Sequence, residues 1–383
     1  MTVKITKPEI NIREKLNELH KPNSVAGDEL IRAQTHADQM ALLGNVQPKN
    51  MWINGDQRIW QRGTTRTGIG SSTETVISDR WRNYQAGTAG RCTWSQSTDA
   101  PTGYANSAKL EVTTADTSVD ANHRWNVAYR MEPAEFEHLG FGKSTGLGFT
   151  IQFWVKSSVT GTYSIDVYKN GTNPTCKRNF TIDSPNTWEF KVMTWPHSTL
   201  GVGSDISTWI WLQAGSNYTT DRGETWTSST DGRAHGQTAN MYSTVGNTFY
   251  ITGLQMAPGK HPSGLPFERR TYSEELALCQ RYFERYYPAA QMQIYNESAT
   301  SNHKWIKLNH AIKRSAPSLA GSSGIIGLGT NGLGTISSLT RQSGSIKEMS
   351  IRVGMSQSSG TANSLYHCDP AAGSAYFDLD CEL

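Results

Sequence analysis

The chain is poor in charge and lacks the patterns that define several common classes of protein. Charged residues make up 18% of its 383 residues, and the net charge is only +3; a typical globular chain has ~25% charged residues. No run of Lys and Arg is long enough to follow a phosphate backbone, so we expect no nucleic-acid partner. There is no apolar N-terminal segment and no apolar run of the ~18 residues that a spanning helix needs, so the sequence predicts neither a secretory signal nor membrane insertion.

Cysteine is sparse as well. The five cysteines are widely spaced and form no CxxC pair, which gives a zinc site or a redox motif little support. Their small, odd number indicates reduced thiols in a protein assembled in the cytoplasm. They are Cys92, Cys176, Cys279, Cys368 and Cys381.

Polar small residues and aromatic residues fill the composition instead. Hydrophobic residues make up only 36% of the chain, and Gly, Ser, Thr and Asn are abundant, a mixture that suits short strands joined by many turns. Twelve Trp, fifteen Tyr and ten Phe argue against disorder, because disordered segments are poor in aromatic residues. The sequence therefore predicts a folded, mainly β protein.

Alternation of apolar residues supports this prediction between residues 49 and 265. The segment Phe149–Val155 places Phe149, Ile151, Phe153 and Val155 on one face, as expected of a half-buried strand. Several such segments with Asn-Gly turns between them indicate a jelly-roll β-sandwich. The other predicted strands are Met51–Gly55, Tyr163–Tyr168, Trp188–Met193, Thr208–Gln213 and Asn247–Thr252.

Residues 1–48 differ from the rest, since they read as two short amphipathic helices. The second helix, over Asp28–Leu43, ends at Gly44. Two helices this short cannot bury their apolar stripes alone, so we expect a helical arm that needs a partner: the next domain, copies of itself or another protein. The predicted interface residues are Ile12, Leu16, Leu19, Leu30, Ala37 and Met40.

A connecting helix is predicted within residues 266–288. The sequence Thr271-Tyr-Ser-Glu274 has the form of a capping box, and apolar residues then recur at helical spacing as far as Tyr286, giving a helix of about 16 residues. Residues 289–383 are rich in Gly and Ser with alternating apolar positions, which predicts a smaller C-terminal β-sandwich ending in a strand over Ser374–Asp380.

Several short motifs are scattered over residues 1–287. The longest are the strand Phe249-Tyr-Ile-Thr-Gly-Leu-Gln-Met-Ala-Pro-Gly259, the turn Pro266-Phe-Glu268 and the helix Arg270-Thr-Tyr-Ser-Glu-Glu-Leu-Ala-Leu-Cys-Gln-Arg-Tyr-Phe283; shorter ones are Trp60-Gln-Arg-Gly63 and Ser78-Asp-Arg-Trp81. These motifs resemble segments of tail-fibre and related structural proteins of tailed bacteriophages, especially marine ones. The resemblance implies a virion protein with a domain like a carbohydrate-binding module. It also implies a homotrimer that is attached to the particle by its N-terminal arm and contacts a host glycan or receptor.

Two other functions stay open at this point. A capsid decoration or head-fibre protein could have the same fold and differ only in where residues 1–48 dock. A glycan-degrading tailspike usually has a long β-helix with short repeats, and no such period is present. Its cleavage chemistry needs two carboxyl groups across a bound sugar, and the candidates are Asp79, Asp99, Asp116 and Asp120; we expect no enzyme activity.

Ligand and cofactor motifs give little more. Gly327, Gly329 and Gly332 match GxGxxG, but β-branched and Ser residues follow where a dinucleotide site needs a helix, so we interpret them as strand glycines. We expect no cofactor. A structural Ca²⁺ is compatible with a jelly roll of the carbohydrate-binding type, but no Asp-x-Asp-x-Asp-Gly loop is present, and no ligands can be named.

The segment Thr219–Thr238 is long, polar and without periodicity, as functional loops often are. Aromatic and arginine side chains there could stack on a sugar or anchor a partner. Alternatively, Trp226 folds back on its own domain. The predicted ligand-binding residues are Tyr218, Arg222, Trp226, Arg233 and His235.

Overall fold

The computed structural model describes residues 49–70, 74–170, 174–198, 205–229, 231–287, 292–296, 303–323, 336–355, 364–368 and 376–382. Over these residues the chain is mainly β, as predicted, with two short α-helices. The predicted arm with Ile12, Leu16, Leu19, Leu30, Ala37 and Met40 lies outside the described residues, as does the GxGxxG set at Gly327, Gly329 and Gly332.

The strands and helices follow one another along the chain, with a long connection, residues 215–247, between β11 and β12. The first half contains β1 (Thr65–Ile69), β2 (Glu74–Val76), β3 (Trp81–Ala86), β4 (Arg91–Ser97), β5 (Ser107–Thr114), β6 (Arg124–Met131), α1 (Pro133–Phe136), β7 (Phe149–Ser157), β8 (Gly161–Lys169), β9 (Thr175–Ile182) and β10 (Glu189–Trp195). The second half contains β11 (Ile206–Ala214), β12 (Thr248–Pro258), α2 (Tyr272–Gln280), β13 (Phe283–Tyr286), β14 (Met292–Asn296), β15 (His303–Asn309), β16 (Ser318–Ser323), β17 (Ile336–Gly344), β18 (Glu348–Met355), β19 (Ser364–Cys368) and β20 (Tyr376–Asp380).

Two six-stranded antiparallel sheets form the large sandwich. The first sheet has the order β1-β4-β5-β12-β7-β10, and the second has the order β2-β3-β6-β11-β8-β9. Consecutive strands thus alternate between sheets along much of the chain, as in a jelly roll. The core lies between the sheets: Phe153 of the first contacts Phe180 of the second, with ring centroids 5.2 Å apart.

The predicted face of β7 is confirmed. Phe149, Ile151, Phe153 and Val155 are all fully buried, because strict alternation turns every second side chain of a strand to the same side. The strands predicted near Tyr163, Trp188, Thr208 and Asn247 are present as β8, β10, β11 and β12.

A smaller pair of sheets follows in the C-terminal part. The three-stranded sheet has the order β13-β20-β16 and the five-stranded sheet the order β17-β18-β15-β14-β19. They share an apolar cluster that includes Ile306, Ile351 and Phe377. A cation–π contact joins this unit to the large sandwich: the guanidinium carbon of Arg62 lies 3.5 Å from the ring centroid of Phe283. The domain boundaries given above stay a prediction.

Two local predictions are wrong. Residues Met51–Gly55 form bends and a turn instead of a strand, although Asn54 takes the left-handed conformation expected of the Asn-Gly pair, with φ +58°. Helix α2 begins with the predicted capping box at Thr271 but ends at Gln280. Phe283–Tyr286 form β13 because their backbone pairs with β20, a long-range contact that overrides the helical spacing.

Candidate functional site

Strand β11 carries two tryptophans on the outer face of the second sheet. Its residues Ile206, Ile210 and Leu212 are buried in the core, so the alternation of a strand turns Trp209 and Trp211 to the opposite side. The two indole ring centroids are 6.0 Å apart. Trp211 is fully buried and Trp209 is partly exposed, and their rings lie in the middle of a continuous aromatic cluster that reaches the surface.

We call this cluster the aromatic face; its rings are Tyr84, Tyr168, Trp209, Trp211 and Tyr218. Trp209 lies at its centre, with its ring centroid 5.2 Å from that of Tyr84 and 6.3 Å from that of Tyr168. Tyr84 belongs to β3, two strands away from β11, and the strand between them places Ala128 in register with Trp209. Because alanine is small, the Trp209 ring reaches across β6. The rings of Tyr84, Tyr168 and Trp209 are all partly exposed.

Arg233 reaches the aromatic face from the loop 219–238. Its guanidinium carbon lies 4.0 Å from the ring centroid of Trp209 and 4.3 Å from that of Tyr168. Its Nε donates a hydrogen bond of 2.8 Å to Asp166. Only 4% of the Arg233 surface is exposed, so its expected place on the molecular surface is wrong. The residue attaches the loop to the sheet.

Asp166 is the buried anion beneath this arrangement. It also accepts hydrogen bonds from Nε1 of Trp211 at 2.6 Å and Oγ1 of Thr175 at 3.1 Å. Burial raises the pKa of Asp166, and the charge of Arg233 and these hydrogen bonds oppose that rise. With three donors around it, Asp166 fixes both Trp211 and Arg233 in place.

Arg124, the first residue of β6, is the second guanidinium group at the aromatic face. Its guanidinium carbon lies 4.8 Å from the ring centroid of Tyr84, 5.7 Å from that of Tyr218 and 5.9 Å from that of Trp209. Its Nη2 donates to the hydroxyl of Tyr84 at 2.7 Å. Within the described residues, no carboxylate forms an ion pair with it. Among the residues that the structure describes, none neutralises the charge of this cation.

The five predicted ligand-binding residues lie in three places: two at the aromatic face, two within the loop, and Trp226 apart from both. Tyr218 and Arg233 lie together at the aromatic face, where the ring of Tyr218 is 5.1 Å from that of Trp211. Arg222 and His235 contact carboxylates of the same loop. Nη2 of Arg222 lies 3.3 Å from Oδ2 of Asp231, and Nε2 of His235 lies 3.1 Å from Oδ1 of Asp221. Their role in binding stays a prediction.

Trp226 turns away from the aromatic face. Its Nε1 donates to the carbonyl oxygen of Pro196 at 2.9 Å, and its ring contacts Phe141, with centroids 5.7 Å apart. Nζ of Lys169 lies 4.5 Å from the ring centroid. The ring therefore folds back on its own sandwich, as in the alternative considered for it.

Sequence reasoning missed Tyr84, Arg124, Tyr168 and Trp209. A usable signal was present in Thr208–Gln213, where Trp209 and Trp211 alternate with the core residues Ile210 and Leu212. The meeting of Tyr84 with Trp209 had no local signal, because it depends on strand order.

The four acidic residues considered for sugar cleavage lie in different surroundings. Asp79 and Asp116 are buried, whereas Asp99 and Asp120 are exposed. Asp79 accepts hydrogen bonds from the backbone and side chain of Gln61, and burial raises its pKa to about 6. Among the residues that the structure describes, no group of three or more His, Cys, Asp or Glu side chains is placed to hold a metal ion, and no helix is long and apolar enough to cross a membrane.

Comparisons with known proteins give weak similarities. No family model and no curated protein matches the sequence. A domain of solved structure, the enzymatically active domain of tailspike protein 4 of bacteriophage CBA120, is 14% identical with a TM-score of 0.29; the match covers 47% of this chain and 19% of that one. The chain thus spans about a fifth of the length of that domain.

Carbohydrate-binding modules give scores of the same size. A family 4 module is 15% identical with a TM-score of 0.29, covering 54% of this chain and 97% of the module. A family 11 module from a Clostridium thermocellum cellulase is 12% identical with a TM-score of 0.28, covering 50% and 99%. TM-scores this low carry no functional argument, so the fold stated above rests on the chain's own sheets.

Proposed function

We propose that the chain is a structural protein of a tailed bacteriophage, a tail fibre or fibre-like appendage, whose aromatic face binds a host-surface glycan without cleaving it. The aromatic face is the observation that carries the glycan-binding part, with partly exposed rings at Tyr84, Tyr168 and Trp209 beside two guanidinium groups. The virion part is supported by the resemblance of the segments around Phe249–Gly259 and Arg270–Phe283 to tail-fibre proteins.

The chemistry of the face suits a sugar. A pyranose ring presents C–H groups that pack on aromatic rings, and its hydroxyl groups need hydrogen-bond partners when they leave water. The hydroxyl of Tyr84 and the guanidinium of Arg124 supply such partners beside Trp209. Because Arg233 and Asp166 already fix the central rings, little side-chain order has to be created on binding.

The glycan-binding part is tested with the purified chain and surface polysaccharide from the host. We expect Trp209→Ala and Tyr84→Ala each to weaken binding about tenfold or more, as for aromatic residues at the centre of an interface. Trp188→Ala is the matched control, because Trp188 is a partly exposed tryptophan that bonds to Asp99 and lies just before β10 of the first sheet. If Trp209→Ala and Tyr84→Ala both bind the polysaccharide as tightly as the parent chain, the aromatic face is not the glycan-binding site.

The virion part is tested on particles. We propose a homotrimer that docks through residues 1–48, so light scattering of the soluble chain should give about three times 42.3 kDa. Quantitative mass spectrometry of purified particles should count a few trimers for each tail. Hundreds of copies would indicate a capsid decoration protein instead, and a stable monomer would remove the trimer.

A further inference from the structure

We propose that the aromatic face recognises an acidic glycan, one with carboxylate or sulfate groups on its sugar rings, and that Arg124 is the residue that pairs with the anionic group. This inference rests on the proposed function and names the class of ligand. It comes from an unneutralised guanidinium group that shares a partly exposed surface with the rings suited to stack on a sugar.

The guanidinium of Arg124 is held in place by groups that do not neutralise its charge. Its Nη2 bonds to the neutral hydroxyl of Tyr84, and its guanidinium lies over aromatic rings, which attract a cation through their quadrupole but carry no net charge. Its Nε is buried and has no hydrogen-bond acceptor among the described residues. Nη1 is not among the buried unpaired atoms and bonds to none of the described residues, so the outer edge of the guanidinium remains for an external acceptor.

The surroundings of Arg124 also leave room for a ligand. Its partners in register on the two neighbouring strands are Ala86 and Ala214, small and uncharged side chains. Asp120, which precedes β6, lies 3.5 Å from Nε2 of His123 instead. The positions beside Arg124 on the two neighbouring strands thus carry alanines and no carboxylates.

Two other arginines on this face have carboxylate partners. Arg233 is buried in its ion pair with Asp166, and Arg130 lies within 4 Å of Glu74 and Asp205. This contrast singles out Arg124, since a planar guanidinium pairs with carboxylate or sulfate oxygens through two parallel N–H bonds.

The probes are polygalacturonate, alginate and hyaluronate, each tested beside its carboxyl-reduced derivative, which keeps the sugar backbone and loses the charge. We expect the chain to prefer at least one acidic polymer over its reduced form, with an affinity for the acidic form that falls as salt rises. Arg124→Gln should lower that affinity about tenfold or more, the effect of losing a charge-assisted hydrogen bond. The same variant should lower binding to the reduced polymer much less, so that the preference for the acidic form is lost.

Arg269→Gln is the matched control for charge. Arg269 also stacks on aromatic rings, with its guanidinium carbon 5.0 Å from the ring centroid of Tyr104, and it also bonds through Nη2, to the carbonyl oxygen of Gly103. It lies away from the second sheet, since Tyr104 contacts Gly253 of β12. Equal losses in both variants would mean non-specific attraction to a polyanion and would overturn the inference.

The remaining outcomes separate this inference from the proposed function. Equal binding of acidic and reduced polymers, abolished by Trp209→Ala, would overturn the acidic class and keep glycan binding. Binding to none of the six polymers would count against both. Arg124→Lys keeps the positive charge but loses the planar guanidinium with its two parallel N–H donors. Binding between that of the parent chain and that of Arg124→Gln, with an unchanged melting temperature, would support pairing through two N–H groups.

Discussion

Glu382 forms an ion pair with Arg80, which precedes it by 302 positions: Oε2 of the glutamate lies 2.7 Å from Nη1 of the arginine. Arg62 and Arg82 approach the same carboxylate at 3.6 Å and 3.4 Å. Burial alone would raise the pKa of Glu382, but the three arginines outweigh it and lower the pKa to about 2. The carboxylate therefore ties the last described segment to β3.

This relationship predicts a loss of stability in acid. The pKa of Glu382 is about 4.5 in the unfolded chain and about 2 in the folded one, so the folded state holds the proton less tightly. Its contribution, about 3 kcal/mol, is complete above pH 4.5 and disappears as the pH falls toward 2. We expect thermal unfolding of Glu382→Gln to depend less on pH in this window than that of the parent chain.

The control for this experiment is Glu348→Gln. Glu348 pairs with Lys307 at 2.7 Å, but both side chains are about half exposed, and such pairs contribute about 1 kcal/mol or less. If Glu382→Gln and Glu348→Gln lose the same stability at pH 7, the buried network has no special role.

Asp166 and Arg233 should be coupled. Asp166→Asn leaves the buried guanidinium without its anion, which we expect to cost about 3–5 kcal/mol. Arg233→Met added to Asp166→Asn should restore part of that loss, and a double-mutant cycle on urea unfolding measures the coupling. Limited proteolysis should also cut Asp166→Asn more readily within the loop 219–238, and additive effects would argue against the pairing.

Gly55 should not tolerate a side chain. A Cβ atom at this position would lie 2.0 Å from the carbonyl oxygen of Leu254 in β12, so Gly55→Ala must displace backbone, at a cost of about 1–3 kcal/mol. Gly223→Ala is the control, because the nearest atom to its added Cβ is Oγ1 of Thr225 at 4.0 Å. Equal melting temperatures for the two variants would contradict the close approach.

The four cysteines with described side chains should be unreactive in the folded chain. Burial raises the pKa of Cys92 to about 12 and that of Cys176 to about 11, and Cys279 and Cys381 are buried as well. Because only the thiolate reacts, a disulfide reagent at pH 8 should label at most Cys368, whose side chain lies outside the described residues. All five thiols should react in guanidinium, and rapid native labelling of several would contradict this burial.

What the sequence predicted well depends on neighbouring residues alone. The alternation in Phe149–Val155 and the capping box at Thr271 need no distant partner, and both are present. Phe283–Tyr286 had the spacing of a helix but became β13, because β20 supplies backbone partners from nearly 100 residues away. The aromatic face depends on the same kind of information, since Tyr84 and Trp209 meet only through the order of the second sheet.

The pairing of β13 with β20 has a mechanical consequence. Phe283 stands opposite Asp380, so the chain enters and leaves the C-terminal sandwich at the same edge of that two-stranded ladder. Tension applied between Phe283 and Asp380 would break the hydrogen bonds between β13 and β20 one after another. A strand pair loaded in this way resists less force than one whose hydrogen bonds are all loaded together. The ion pair between Arg80 and Glu382 lies at the same end of the ladder. It must therefore break before the strands β13 and β20 can separate.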